Sequence, residues 1–138
     1  MSVDLEVQKA IRARLTTWGG VLALVPAAQI LDTLQRPSAM PAILLGDSQA
    51  VDEGTSLRRT HTRVYHSLHV WQREASMKGV KTIAGEIRRA IHAGRLTMAA
   101  GMHCADVRVS SMRFLRDPDG EHSHGVVVVE ALIAEVAS

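Results

Sequence analysis

Seven histidines stand among the residues that could do chemistry, and His122-Ser123-His124 is their closest grouping. With one partner from His103, Cys104 or Asp106, these two imidazoles would supply a three-ligand set of the kind that holds catalytic zinc. The spacing gives this little support. Neither an HExxH helix nor paired CxxC is present. His66 and His69 lie an odd number of residues apart, so on one strand they face opposite ways and cannot share an ion. The run Asp117-Pro118-Asp119-Gly120-Glu121 has the look of a calcium loop but lacks the third early oxygen ligand and the closing glutamate, and it reads better as a turn.

The other chemical candidates are weaker. Cys104 beside His103 would need both side chains on one face to form an activated thiolate, whereas strand neighbours face apart, and a lone cysteine is usually a small buried apolar residue. Arg58-Arg59 with His61 and Arg63 is the densest basic stretch, but Asp47, Asp52 and Glu53 offset it, which favours a solvated loop over a phosphate site. No GxSxG elbow, phosphate-binding loop or dinucleotide fingerprint occurs, and Gly46-Asp47-Ser48 matches none of them. No residue is therefore assigned a catalytic, cofactor-binding or metal-ligating role, and no cofactor is expected.

Composition narrows the class. A chain of 138 residues suits one domain spanning 1–138, with a core of Val, Leu, Ile, Ala and Met, because Trp18, Tyr65, Trp71 and Phe114 are the only aromatic residues. The 16 basic and 14 acidic side chains are spread along the chain, without the clustering that tracking a nucleic acid backbone needs. The lone cysteine excludes an intrachain disulfide and fits a protein made in a reducing cytoplasm. The longest uncharged run, Leu15 to Leu31, is broken by Gly19-Gly20 and Pro26 and is too short for a membrane span, and the charged N-terminus lacks the order of a secretory signal.

The elements that would position these residues follow from periodicity. Val7, Ile11, Leu15 and Trp18 recur at helical spacing from Val3 to about Trp18, with Ser2 or Asp4 as cap and Gly19-Gly20 as stop. Leu22 to Leu34 is a connector in which Ile30-Leu31 could form a short strand. Pro37 and Pro41 bracket a turn before a short strand, Ala42 to Gly46, and Gln49 to Arg59 reads as a long loop. His61 to Arg73 is a long strand with Val64, His66, Leu68 and Val70 on one face and Tyr65, Ser67, His69 and Trp71 on the other. A helical stripe from Val80 to Ile91 follows, stopped by Gly94. Ala105 to Arg116 reads as a strand whose apolar parity switches near Ser110-Ser111, implying a bulge. The turn Asp117-Pro118-Asp119-Gly120 then leads into a last strand, Gly125 to Val136. The fold class is α+β: a mostly antiparallel four-stranded sheet with two main helices packed on one face.

Several patches, in this order, resemble the phage and prophage tail-completion or tail-terminator proteins of the head-to-tail junction, a family also found in gene-transfer-agent particles. Leu24-Val25-Pro26-Ala27-Ala28-Gln29-Ile30-Leu31-Asp32 looks like the family's early segment, Pro41 to Gly46 like its proline-led strand, and Leu68-His69-Val70-Trp71 like its central strand. The helix with Ile83-Ala84-Gly85-Glu86-Ile87, before Leu96, and the hairpin Asp117-Pro118-Asp119-Gly120 with His124-Gly125-Val126 complete the series, which covers about residues 5 to 136. Pro26-Ala27-Ala28, where relatives often carry glycine, and the loop from Gln49 to Arg59 depart from the pattern.

The resemblance implies a structural, non-enzymatic virion subunit, made in the bacterial cytoplasm, that forms a homo-oligomeric ring, commonly a hexamer. Such a ring ends the tail tube and joins it to the head connector or stopper, with DNA passing through the lumen without specific binding and with no membrane partner. Ring closure would need two different surfaces of each subunit, and unpaired sheet edges are one candidate. The alternatives from other classes are a small metal-dependent enzyme using His122 and His124, and a free ligand-binding α+β domain.

Overall fold

In the computed structural model, residues 2–32, 37, 39–54 and 57–135 are described. Ser2 caps the first helix, α1 (Val3–Thr16), accepting a hydrogen bond from Leu5 N at 3.2 Å, with Asp4 and Glu6 in the positively polarised first turn. The helix stops at Thr17 rather than at the glycines. Gly19-Gly20 instead opens a short helix, α2 (Gly19–Leu22), and a 3-10 turn at Ala27–Gln29 follows. The third helix, α3 (Lys78–His92), buries Val80, Ile83, Ala84, Ile87, Ala90 and Ile91, the stripe its sequence shows. Arg14 of α1 closes its far end by donating to the carbonyls of Ala90, Gly94 and Arg95 at 2.6, 3.2 and 2.8 Å.

Among the described residues the sheet has five strands, one more than the sequence leads one to expect. They are β1 (Ile30–Leu31), β2 (Ala42–Asp52), β3 (His61–Arg73), β4 (Met102–Arg116) and β5 (His122–Glu135), in spatial order β1-β2-β3-β5-β4. The extra strand is the two-residue β1, parallel to β2, while the other three pairings are antiparallel. β2 also runs well past Gly46. Gln49 to Asp52, expected in the loop, pair with Tyr65 to Thr62 after a register shift between Leu45 and Ser48. Backbone pairing to β3 makes them a strand although their side chains are exposed, so no burial pattern marks them. The expected loop shrinks to residues 53–60, and its residues 55–56, like Leu34 of the connector and Val136 of the last strand, lie outside the described residues.

All three helices join one core on one face of this sheet. Val7, Ile11 and Leu15 of α1, Val21 of α2, and Ile83, Ile87 and Ile91 of α3 meet Ile43, Leu45, Val64, Leu68, Val70, Val127, Val129 and Ile133. The bulge expected near Ser110-Ser111 is present: the register of β4 on β5 shifts between Val109 and Ser111, so that Val107, Val109 and Phe114 all pack toward the core despite their mixed parity. A second shift lies between Cys104 and Asp106. Between β4 and β5, Gly120 takes φ +74° and its N–H bonds Asp117 O at 2.9 Å, as a turn closing a hairpin requires. No described helix is long and apolar enough to cross a membrane.

Candidate assembly surfaces

Opposite the core, the sheet presents Tyr65, His69 and Trp71 of β3 beside His124, Val126 and Glu130 of β5, all only partly exposed except the buried Glu130. Trp71 and His124 are cross-strand partners, and their rings stack at 4.0 Å and 7°. His69 continues the stack at 5.0 Å, with its Nδ1 at 2.8 Å from His124 Nε2, so one nitrogen donates and the other accepts. Glycine at position 46 makes room for this arrangement, since a Cβ there would lie 2.5 Å from the His69 ring. Burial lowers the pKa of both imidazoles; for His124 the neighbouring His69 lowers it further, while Asp47 and Asp117 pull the other way on His69 and His124 respectively.

Farther along the same face, Arg63 donates to both oxygens of Glu53 at 3.0 and 2.8 Å and to Glu130 at 2.8 Å, and Arg108 reaches Glu130 from β4 at 3.4 Å. The hydrogen bonds from Arg63 hold the Glu53 carboxyl below its ordinary range, and Arg63 is correspondingly held in its charged form. This network spans β3, β4, β5 and the end of β2, fixing long side chains that would otherwise be mobile. Of the basic stretch, Arg63 belongs to this network in β3, and Arg59 pairs separately with Asp52 at 2.9 Å.

The two sheet edges differ: β1 covers only Ile43 and Leu44 of β2, whereas β4 is bent by its two bulges and so poorly suited to strand addition. The β4 edge is also occupied from the side: Val109 N donates to His92 Nε2 of α3 at 2.9 Å. Arg116 clamps the carbonyls of Glu74, Ala75 and Ser76 at 3.0, 2.6 and 3.1 Å.

The ligands considered for a metal-dependent enzyme do not converge. His122 pairs with Arg73 and His103 with Ala134, at opposite ends of β5, so His103, Cys104 and Asp106 stand far from His122 and His124. Cys104 is buried with its Sγ 3.4 Å from Asp106 O, while His103 is exposed. His66, buried in the core, and His69 do face opposite ways; burial lowers the His66 pKa, and its Nε2 lies 3.3 Å from Gln8 Oε1. At the turn, Asp117, Asp119 and His122 bring ligand atoms within 4.8 Å of one another. Asp119 is used by the turn itself, accepting from Glu121 N and His122 N at 2.8 and 3.1 Å and contacting His122 Nδ1 at 2.7 Å.

Two features have no local signal in the sequence. Leu57 projects from the β2–β3 loop with 99% of its surface exposed. Glu74, between β3 and α3, accepts from Gly79 N, Val80 N, Ser123 Oγ and Ser76 Oγ at 2.7, 3.1, 2.8 and 3.2 Å. Burial alone would raise the Glu74 pKa, but those hydrogen bonds outweigh it and hold the carboxyl below the usual range.

A family model described as "Tail completion protein gp17" matches residues 9–134. Among solved structures, the fold is similar to a chain of the "Virion of native gene transfer agent (GTA) particle", with a TM-score of 0.82 and 17% identity over 96% of this chain and 98% of that one. No curated protein matches the sequence.

Proposed function

The chain belongs to the tail completion protein gp17 family, and from that premise we propose that it is a structural subunit of a phage-like tail. In this reading it forms a ring, most simply a hexamer, that ends the tail tube and joins it to the head connector, and it carries no catalytic activity. The observation that carries the proposal is the extent of the family match, which runs from within α1 to the end of β5 and so takes in every strand of the sheet. The surfaces are consistent with such work. The helix-free face of the sheet is held rigid by the Trp71–His124–His69 stack and the Arg63 network, so little side-chain entropy would remain to be lost on association. The bent β4 edge suits a subunit that joins a closed ring through side chains instead of growing an open sheet on that side.

Light scattering and negative-stain imaging of the purified chain, alone and with tail tubes, test this. Rings in solution or capping tube ends are the expected result. A chain that stays monomeric at every accessible concentration and leaves the tubes uncapped would remove the reading.

A further inference from the structure

The helix-free face of the sheet carries a pair of titratable side chains whose contact depends on how many protons they hold. His69 Nδ1 and His124 Nε2 stand 2.8 Å apart, so a single proton lies between them. One imidazole must donate and the other accept. With both rings neutral the contact is complete. A first added proton makes one ring an imidazolium donor and leaves the other a neutral acceptor, and the hydrogen bond persists in charge-assisted form. A second added proton sets two N–H groups against each other across 2.8 Å, and the contact is lost.

The surroundings decide which ring moves. His69 is seated over Gly46, where the register of β2 on β3 shifts, and a Cβ at position 46 would come within 2.5 Å of its ring. His124 is held by His69 through one nitrogen and by the face of Trp71 at 4.0 Å and 7°. Carboxylates flank the pair from opposite sides of the sheet: Asp47 of β2 acts on His69, and Asp117, after β4, acts on His124, each favouring the charged ring. Among the described residues, the other charged groups on this face near the pair are Arg113, opposite Val126 on β4, and Arg73 and His122 farther along β3 and β5. Arg73 is engaged with Glu121 at 3.7 Å and His122 with Asp119 at 2.7 Å.

We propose that His69 and His124 form an acid-opened latch on the helix-free face: the second proton taken up by the pair releases His124 from His69 and Trp71 and turns it toward Asp117, while the rest of the fold stays intact. Burial lowers the pKa of both rings, so the latch is closed near neutral pH and opens only below the ordinary histidine value of 6.5. The face is then stiff at neutral pH and loosened in acid. This property goes beyond the ring reading and holds for the isolated chain.

An NMR titration of the full chain from pH 8 to pH 4, following the histidine and tryptophan ring resonances, tests it. The closed latch has its own signature, because the ring current of the stacked Trp71 shifts the His124 ring protons upfield. The pair should titrate in two coupled steps, with that upfield shift kept through the first and lost in the second. The methyl resonances of Leu68 and Ile87 in the core should stay in place throughout. In His69→Gln the amide oxygen can accept from a charged His124, so a single step should remain and His124 should stay on Trp71 after taking its proton. The wild-type titration decides the matter even where the variant is destabilised. Two independent one-proton curves, an upfield shift that survives the second step, or its loss only together with the core signals would each overturn the latch. Loss of the shift on the single protonation of folded His69→Gln would overturn it as well.

Discussion

Replacing Glu74 by alanine should destabilise the fold far more than its partly exposed position suggests. The residue acting as N-cap of α3 is Met77, whose side chain makes no capping hydrogen bond, so Glu74 does that work from three residues upstream. Its loss leaves the Gly79 and Val80 N–H groups to water, at about 1 kcal/mol for a lost cap. It also removes a negative charge from the helix N-terminus, worth roughly 0.5 kcal/mol. Ser123, fully buried, would keep only a 3.4 Å contact with Gln72 O, adding about 1 kcal/mol. The sum is about 2 to 3 kcal/mol, or roughly 10 °C in Tm for a chain of this size. Glu74→Gln keeps one acceptor and should cost about half as much. The charge dependence has a definite sign. Because the folded-state pKa is lowered, the contribution is fully present above the unfolded value of 4.5 and is lost as pH falls through the folded value. Urea melts of the three proteins at pH 7 and pH 3.5 would read both effects, with the gap between wild type and Glu74→Gln narrowing in acid. A Glu74→Ala midpoint equivalent to wild type within about 0.5 kcal/mol would refute the capping argument.

Other perturbations separate the remaining parts of the structure. Ile87→Asp puts a charge at a position with no exposed surface, between α3 and the sheet, and should abolish the cooperative unfolding transition; a normal melt would mean the helix does not pack as described. Gly120→Val should cost about 1 to 2 kcal/mol, because its φ of +74° is strained for any side chain although the space around it is open; stability equal to wild type would show that the turn tolerates a Cβ. His66, His69 and His124 all have lowered pKa values, so the unfolded chain takes up protons first and stability should fall as pH drops below about 6.5. Equilibrium unfolding between pH 8 and pH 5 checks this, and a flat profile would contradict the burial of the three rings.

What the sequence made legible was whatever a local pattern encodes. The stripe from Val80 to Ile91, the alternation of Val64, His66, Leu68 and Val70, and the Asp-Pro-Asp-Gly turn each announce themselves within a dozen residues, and the parity switch before Phe114 exposed a bulge. Elements defined by a partner elsewhere were not legible. Ile30-Leu31 could be read as a short strand, but its place beside β2 could not, and Gln49 to Asp52 extend β2 because β3 pairs with them, although their exposed side chains show no strand's burial pattern. Glu74 carries no capping signature, since the motif places the acceptor next to the first helical residue and this carboxylate reaches in from the preceding strand end. The Trp71–His124 stack depends on the register of β3 against β5, two strands separated by a helix and another strand.

The same distinction explains why the histidines drew attention as possible ligands, although His66, His69 and His124 are placed for packing. A metal site gathers its donors at one point, whereas here the register of β4 and β5 sends His103 and His122 to opposite ends of the sheet. His69 and His124 are the pair brought together: His69 Nδ1 meets His124 Nε2, the His124 ring stacks on Trp71, and the His69 ring lies over Gly46. A side chain used in this way rigidifies a surface.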